Sequence, residues 1–442
     1  MTDTLKNSRA VAVPSGRLNR FSRMGGMAAG VAGNMAVNGL IQLSKGGRPQ
    51  ARDLLLTPGN IRRVADELAK MRGAAMKVGQ LISMDAGELL PPELAEIMAR
   101  LRAEADFMPP KQLKQVLNAE LSDNWLSRFA QFDVRPIAAA SIGQVHKARL
   151  KDGREIALKV QYPGIAQSID SDVSNVGRLI KLSGMLPPGL ELAPFLEEAK
   201  AQLHDEADYV KEASFLQRFE ALLTDDDRFV LPGFVPEMSS PRVLAMTFVD
   251  AQPIEVVESA PQDVKDRVAH ELIALTLKEL FTFRWMQTDP NFANYRYQPD
   301  TGKVVLLDFG ATREIPEPII EAYRTLFKAG LADAPESELE PAAYALGLLS
   351  DGIELRFRDA IMGMLRLVFT EIGRETLFDF ANSDLLQKLN RMGEVMAEER
   401  VVLPPPPMDV LYVQRKFAGM FLLATRLKAR VALRDLVEAA VA

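Results

Sequence analysis

The alternation of apolar and polar residues predicts a small antiparallel sheet in the second quarter of the chain. Short strand-like runs fill residues 125–165, with a turn signal at 151–153. Within residues 155–160 every second side chain is a large aliphatic one, and these side chains form one face of a strand. Ala157 and Lys159 then share the opposite face. The strand pattern alone allows Lys159 to be either a solvent-facing lysine or the roof of a ligand cleft.

A helical period dominates most of the remaining sequence. Residues 192–222, 260–286 and 315–440 follow it, and one further strand-like run spans 242–249. The proline-rich run at 403–407 interrupts the last helical region, so the final helix is expected to pack back as a separate element. Segregated strands and helices predict an α+β fold.

An uncharged segment at residues 25–43 carries a membrane signal. Nineteen residues in a helix span about 28 Å, close to the thickness of a bilayer's hydrocarbon core. Gly26 and Gly30 form a G-x-x-x-G pair that allows close helix approach, and hence a homodimer, in a membrane. Three amide side chains recur every four residues as one polar stripe: Asn34, Asn38 and Gln42. The segment is therefore interpreted as a membrane-associating helix or as a buried, glycine-rich soluble helix.

Composition narrows the classes of function. The chain has 442 residues, 48% of them hydrophobic, which is ample for a globular core. Its net charge of −6 argues against a nucleic-acid partner, which would require a basic surface. The absence of cysteine excludes disulfides and thiolate metal sites. Three scattered histidines make a zinc site improbable.

Four polar residues form the candidate chemical site: Lys159, Asp289, Asn294 and Asp308. A lysine places a point charge against nucleotide phosphates, and carboxylate and amide oxygens hold the magnesium ions that bridge them. An Asp five residues before the metal-binding Asn, the spacing of Asp289 and Asn294, can accept the proton of an attacking hydroxyl. Asp308 begins an Asp-Phe-Gly triplet after an apolar run. The sequence predicts a protein-kinase-type site for ATP and Mg²⁺, with Asn294 and Asp308 as metal ligands.

Two members of this set also have a structural explanation. Lys159 taken alone fits a solvent-facing strand lysine, and Asp308 fits a residue that caps a turn. The order of the four residues, each in its expected local structure, is what favours nucleotide binding.

A small-residue loop precedes Lys159 where a kinase would carry G-x-G-x-x-G. It runs through Ala138, Ala139, Ala140 and Ser141 and keeps one glycine, Gly143. Glycines let backbone amides approach phosphate oxygens, and three alanines narrow that freedom. We expect altered nucleotide preference rather than lost binding. The alternative, a turn that merely enters a strand, explains the composition of the loop but not its place ahead of Lys159.

Several further motifs resemble those of the UbiB/ADCK atypical kinases, specifically the mitochondrial-type members tied to coenzyme Q biosynthesis. The resemblance covers residues 15–435. Its motifs are K-x-G-Q at 77–80, the alanine loop at 138–144, the segment 159–164, Glu206-x-Asp208, the segments 287–291 and 308–314, and the proline run followed by Arg415 and Lys416. One departure is Gln287, which occupies the place of the His in an H-x-D pattern and puts the pinning of the catalytic loop in doubt.

The resemblance implies a fold, an activity and partners. It implies a bilobal protein-kinase-like fold with an added N-terminal helical subdomain that carries the K-x-G-Q motif. It also implies Mg-dependent ATPase activity that supports ubiquinone synthesis at a membrane. Small lipid-like or quinone-precursor molecules and other biosynthetic enzymes are the implied partners. The implied location is the cytoplasmic side of a bacterial inner membrane or the mitochondrial inner membrane.

Three acidic residues in the helical region 192–222 need separate consideration. Asp208 and Glu212 are four residues apart and share a helix face, whereas a straight helix turns Glu206 away from Asp208. Glu212 is the candidate partner of Lys159, with a solvated helix carboxylate as the alternative. By the resemblance, Glu206 and Asp208 engage Lys77 or the metal.

Two further groups of residues complete the predicted site. By the resemblance, Lys77, on a helix that begins near residue 60, lies over the place where a protein kinase binds its peptide. Spacing alone favours a surface lysine beside Gly73. By analogy with the kinase hinge, the end of the 242–249 strand meets adenine. The predicted residues are Met246, Thr247, Phe248 and Val249, and the last three contact adenine through their main chain.

We therefore divide the chain into four regions: a polar and apolar N-terminus (1–48), a helical extension (49–124), an N-lobe (125–250) and a C-lobe (251–442). The predicted function is a kinase-like ATPase. Two alternatives keep the fold: a true kinase of a small lipid-like or prenylated substrate, and a nucleotide-sensing scaffold for biosynthetic enzymes. Asp289 favours chemistry over sensing, because metal–nucleotide binding needs only Lys159, Asn294 and Asp308.

Overall fold

The computed structural model describes most of the chain from residue 107 onward and one helix before it. The described residues are 68, 71–86, 107–183, 192–374, 376–398 and 406–442. The predicted apolar segment at 25–43, with its G-x-x-x-G pair, lies outside them. The described residues divide into two units. The first comprises those up to Ser214 together with Gly233–Phe248, and the second comprises Phe215–Pro232 and Val249–Ala442.

The first unit contains a five-stranded antiparallel sheet. Its strands are β1 (Phe129–Phe132), β2 (Ala138–Ala139), β3 (Gly143–Leu150), β4 (Glu155–Gln161) and β6 (Val243–Thr247). They follow the order β1-β3-β4-β6, and β2 pairs with β3. The predicted turn joins β3 to β4 through Gly153, whose φ of 93° suits a residue without a side chain.

The predicted alternation along β4 is confirmed. Ile156, Leu158 and Val160 are fully buried and belong to one hydrophobic cluster. The cluster is completed by the apolar face of α2 (Pro110–Leu121), which packs on β4. Lys159 therefore lies on the other face of the strand.

Three helices of the first unit lie together. These are α1 (Arg72–Ala86), α3 (Ile165–Ser183) and α4 (Leu192–Glu206). Helix α1 packs against both α3 and α4, which also contact each other. Helix α1 carries the K-x-G-Q motif.

Residues 192–222 are helical as predicted, but they form two helices rather than one straight helix. Helix α4 ends at Glu206, and α5 (Tyr209–Leu222) begins after a break at Ala207 and Asp208. The Asp208 Oδ1 atom accepts the backbone N–H groups of Val210 and Lys211 at 3.1 and 3.0 Å. A side chain that caps the next helix competes with continuation of the previous one, which explains the break.

The second unit combines small sheets with a helical layer. Its strands are β5 (Phe229–Val230), β7 (Gln252–Pro253), β8 (Trp285–Gln287), β9 (Tyr295–Gln298), β10 (Lys303–Leu306), β11 (Thr312–Glu314), β12 (Phe378–Asp379) and β13 (Arg430–Val431). Four of them form a sheet in the order β5-β10-β9-β7, in which β5 and β10 are parallel. Strand β8 pairs with β11, and β12 pairs with β13.

The helices of this unit are α6 (Gln262–Lys278), α7 (Glu317–Leu331), α8 (Glu336–Ala345), α9 (Leu355–Arg374), α10 (Leu385–Glu398), α11 (Met408–Leu427) and α12 (Leu433–Val441). Helix α6 continues as a π-helical turn, Glu279–Phe283. Helix α11 begins directly after Pro407 and packs on α6, as the proline run predicts. Leu280, Ile320 and Val413, each fully buried, lie in the hydrophobic cluster that joins these helices.

Candidate nucleotide site

Lys159 and Glu212 form a buried ion pair in the first unit. The Lys159 Nζ atom lies 2.6 and 2.8 Å from the two carboxylate oxygens of Glu212. Lys159 is 8% exposed and Glu212 3%. Glu212 stands in the first turn of α5, which places it opposite β4. The predicted pairing is present, and it fixes the lysine head group beside the sheet.

Tyr209 lies beside Lys159 and also packs against Gly143. The ammonium group of Lys159 lies 5.3 Å from the centroid of the Tyr209 ring. A Cβ atom on Gly143 would lie 2.5 Å from the Val160 carbonyl oxygen and 2.8 Å from the Tyr209 hydroxyl. Gly143 is therefore required for packing inside the protein. Its close neighbours are β4 and α5.

The three alanines of the loop build a strand and a tight turn. Ala138 pairs with Val145, and Ala139 pairs with Gln144, as strand β2. The Ala140 N–H donates to the Gly143 carbonyl at 2.9 Å. The backbone amide of Ala140 is thus already used within the loop.

Glu206 links helix α1 to the loop. Its carboxylate forms an ion pair with Lys77 of α1. It also accepts a hydrogen bond from the Ser141 hydroxyl at 2.5 Å. Lys77 is only 4% exposed, so the surface-lysine explanation is wrong. A Cβ atom on Gly73 would lie 2.8 Å from the Ser141 carbonyl oxygen, which shows how closely α1 approaches the loop. Of the two options for Glu206, Lys77 or metal, its contact is with Lys77.

Most of the predicted hinge residues have their amides engaged. Met246 is buried in β6 opposite Ala157. The Thr247 N–H donates to the Gly233 carbonyl at 2.8 Å, and the Phe248 N–H donates to Glu155 at 2.9 Å. The predicted main-chain contacts with adenine would therefore be made by the Phe248 carbonyl or by the backbone of Val249. Val249 is the first residue of the longer segment of the second unit.

Asp289 and Asn294 lie together in the second unit. The Asn294 amide nitrogen lies 3.2 Å from the Asp289 carbonyl oxygen and 3.4 Å from Asp289 Oδ2. Asn294 ends a 3₁₀ turn, and its own carbonyl accepts the Leu307 N–H at 3.1 Å. This last bond ties the Asn294 backbone to the chain just ahead of Asp308.

Asp308 and Phe309 are oriented by different contacts. Asp308 Oδ1 accepts the Gly310 N–H at 2.9 Å. Phe309 is 2% exposed, and its ring centroid lies 5.0 Å from that of Phe219 on the second-unit part of α5. The Asp-Phe-Gly triplet is therefore anchored by a buried phenylalanine.

The side-chain oxygens of Asn294 and Asp308 fit a magnesium ion whose other ligands come from a bound nucleotide. Because the Asn294 amide nitrogen is used toward Asp289, the amide oxygen is the atom left to coordinate a cation. The described part of the chain contains no group of three His, Cys, Asp or Glu residues arranged as a metal site. Magnesium is commonly held by one or two protein oxygens with phosphates supplying others, and Asn294 and Asp308 suit that arrangement.

Arg415 is a partner of Asp289 to which the sequence patterns assign no role. Its Nη2 atom donates to Asp289 Oδ1 at 2.9 Å, and its side chain is 15% exposed. The neighbouring Lys416 is 2% exposed. The sequence did contain a signal for this part of α11. Lys416, next to Arg415, stands on the apolar stripe of the helix, with the buried Tyr412 and Met420 four residues to either side. A charged residue on a buried helix stripe is seldom there without a partner.

Each unit therefore holds part of the predicted residue set, Lys159 and Glu212 in the first and Asp289, Asn294 and Asp308 in the second. The ABC1 atypical kinase-like domain matches residues 100–338. The chain belongs to the ABC1 atypical kinase-like family, which confirms the resemblance noted from its motifs.

Relatives extend the match over almost the whole chain. The chain is 39% identical over 433 residues to the mitochondrial atypical kinase COQ8 of Saccharomyces cerevisiae, covering 97% of this chain and 85% of that protein. It is 36% identical over 437 residues to the mitochondrial atypical kinase COQ8B of Rattus norvegicus, covering 98% and 81%.

A solved structure shares the fold. The Rv3197–erythromycin complex from Mycobacterium tuberculosis superposes with a TM-score of 0.60 at 26% identity, covering 84% of this chain and 93% of that one. Among the helices that the structure describes, none is both long and apolar enough to cross a bilayer.

Proposed function

We propose that this chain is a Mg-dependent ATPase of the atypical kinase type that supports ubiquinone biosynthesis at a membrane. Lys159 would contact the phosphates, Glu212 would orient Lys159, and Asp289 would accept a proton. Asn294 and Asp308 would hold Mg²⁺, which neutralises charge that develops on the phosphates.

The observation that carries this proposal is the buried pair of Lys159 and Glu212. Burying two charges is expensive, and an apolar pair of similar volume is often as stable. A lysine held at 2.6 Å from a glutamate on an interior strand of a sheet is better explained by a need to present a fixed positive charge. The same lysine–glutamate pair is required for phosphate positioning in protein kinases.

The contacts of Asp289 suit a proton acceptor with a defined orientation. One carboxylate oxygen receives Arg415, and the other faces the Asn294 amide. In the proposed step water attacks the γ-phosphorus, its proton passes to Asp289, and ADP leaves. Positioning supplies most of the catalysis in such reactions.

The docking of α1 supports hydrolysis, or transfer to a small molecule, over phosphorylation of peptides. Lys77 is buried against Glu206, and Gly73 contacts the loop backbone. By the family resemblance, this helix lies where a protein kinase binds an extended peptide. A helix held by a buried ion pair and a close backbone contact would be difficult to displace.

The pathway, the partners and the location also belong to the proposal. They rest on the resemblance to coenzyme Q family members and on relatives that are named mitochondrial atypical kinases. A membrane surface, reached through residues 25–43, would present lipid-like or quinone-precursor molecules to the site. The G-x-x-x-G pair would allow a homodimer there.

Phosphate release from labelled ATP tests the proposal. We expect slow, Mg-dependent release that rises with anionic vesicles or a quinone-like phenol, and no labelling of generic protein substrates. Lys77→Ala should change the rate. Lys200→Ala is the matched control, because Lys200 pairs with the exposed Glu197 on the surface of α4.

Three other outcomes would redirect the proposal. Label in the lipid or phenol fraction would favour a kinase of a small substrate, which retains the same site. Mg-ATP binding without turnover would favour the nucleotide-sensing scaffold. Robust labelling of added proteins would contradict the role given to α1.

A further inference from the structure

Helix α11 packs against the catalytic loop, residues 287–294, so closely that no space is left for a side chain at Gly419. A Cβ atom on Gly419 would lie 2.2 Å from the Cβ atom of Pro290 and 2.5 Å from its Cγ atom. Pro290 directly follows Asp289 in the chain. Any side chain at position 419 would therefore push the loop or the helix aside.

Lys416, three residues earlier, reaches the same loop. Its Nζ atom donates to Gln287 Oε1 at 3.1 Å and to the Tyr295 hydroxyl at 2.9 Å. It also pairs with Glu279 Oε2 at 3.4 Å, and both charged side chains are at most 3% exposed. Gln287 is the residue that stands in place of the histidine of an H-x-D loop, two positions before Asp289.

The electrostatics of this cluster argue against a role in stability alone. Burial raises the pKa of Glu279 to about 7, although Lys416 opposes the shift. Burial disfavours the charge of Lys416, but the attraction of Glu279 and Tyr295 outweighs it and raises the pKa of its ammonium group. A buried pair of this kind gives little net stability and is better suited to selecting one conformation.

We propose that Lys416 is a positioning residue for the catalytic loop. It holds Gln287, and through Gln287 it sets the place of Asp289, while Gly419 sets the distance between helix and loop. This inference rests on the proposed ATPase function. Gln287 replaces the histidine that would anchor the catalytic loop. Lys416 of α11 supplies that anchor by donating to Gln287.

The first test separates positioning from charge balance. Lys416→Met alone leaves Glu279 buried without its partner, so the double variant Lys416→Met/Glu279→Gln removes both charges. We expect its melting temperature to stay close to that of wild type. We expect kcat for phosphate release to fall by about 10- to 100-fold, with KM for Mg-ATP unchanged, because misplacing a reacting group by about 1 Å has effects of that size.

Gln287→Met provides a milder second variant, since it removes the loop's contact with Lys416 and leaves Glu279 and Tyr295 in place. It should lower kcat to the same extent. Added to the double variant, it should cause no further loss, because both changes break one connection. Losses that multiply would show that Lys416 does not act through Gln287, and would overturn the proposal.

Gly419→Ala tests the spacing, with Gly393→Ala of α10 as the matched control, since a Cβ atom there meets nothing within 4 Å. Only Gly419→Ala should lower kcat. Wild-type turnover with an unchanged kcat in the double variant would refute the positioning role while the proposed function stands. Absence of both Mg-ATP binding and turnover in wild type would instead refute the proposed function.

Discussion

Among the buried charged side chains of the described residues are three lysines, Lys77, Lys159 and Lys416. Each has an ionic partner, as the cost of burying an unpaired charge demands. Two of the pairs, those of Lys77 and Lys159, lie in the first unit, and that of Lys416 lies in the second. At the scale of single residues, these buried pairs are the observations on which the proposed roles rest.

Glu212→Gln should be strongly destabilising and should weaken the response to Mg-ATP. Lys159 would remain buried without an opposite charge, and breaking such a pair costs about 3–5 kcal/mol. Urea denaturation measures the loss. Glu197→Gln is the matched control: that carboxylate is 74% exposed, and an exposed pair contributes at most about 1 kcal/mol. Equal effects of the two substitutions would contradict the role of the buried pair.

Asp308→Asn should abolish the stabilisation of the protein by Mg-ATP while the free protein stays folded. The amide oxygen can still accept the Gly310 N–H, so local structure is retained. The negative charge for magnesium is lost, and charge-assisted contacts to the ion are strong. Thermal shift with and without Mg-ATP measures the difference. An unchanged shift in the variant would remove Asp308 from the metal site.

The sequence predicted these residues unevenly, for a physical reason. Lys159, Asn294 and Asp308 stand in short local patterns, and Glu212 fits the glutamate that the kinase pattern pairs with the lysine. Arg415 is 126 residues from Asp289, and the two share no local pattern. The packing role of Gly143 depends on Tyr209, a contact across the fold. Contacts between distant parts of a chain have no period from which a single sequence could reveal them.

At the scale of elements, alternation and helical period gave the main strand and helix regions, but they missed the α4–α5 break and the strands β8, β12 and β13 in regions expected to be mostly helical. Strand β4, the β3–β4 turn and the helix after Pro407 follow from pattern, proline and glycine. The break between α4 and α5 did not, because apolar periodicity runs through it. Asp208 caps α5, and that signal was present in the sequence as an Asp one residue before the helix.

His146, on strand β3, should make the free energy of unfolding depend on pH. Burial lowers the pKa of His146 to about 4, although its bond with the Asp133 carbonyl opposes the shift. Between pH 4 and 6.5 the unfolded chain therefore binds more protons than the folded one. The contribution of His146 is present above pH 6.5, is lost as the pH falls to 4, and amounts to about 3 kcal/mol.

Urea denaturation from pH 4 to 7 checks this expectation. The difference in free energy of unfolding between wild type and His146→Gln should grow as the pH rises from 4 to 6.5, whereas Glu279, with its raised pKa, contributes equally to both proteins. His204→Gln is the matched control, because the side chain of His204 is 50% exposed on α4, and its difference from wild type should stay constant. A constant difference for His146→Gln as well would contradict the role of His146.

At the scale of the whole molecule, the N-terminal region is predicted to bring the enzyme to a membrane. Three arginines, Arg17, Arg20 and Arg23, precede the apolar segment and its polar stripe. Such a combination favours anionic lipid surfaces. The full chain should sediment with anionic liposomes, whereas a truncated chain that starts near Pro49 should fold normally and stay in the supernatant. Equal sedimentation would locate the membrane contact elsewhere, for instance on α11.

The central claim is that Asp289 serves chemistry on a bound nucleotide, and a single-turnover assay with labelled ATP tests it most directly. Wild type should release phosphate only with Mg²⁺. Asp289→Asn should still bind Mg-ATP but release phosphate at least about 100-fold more slowly, the usual contribution of a positioned proton acceptor. Asp300→Asn, in the exposed turn between β9 and β10, should match wild type. Equal rates for Asp289→Asn and wild type, with equal Mg-ATP binding, would contradict the account.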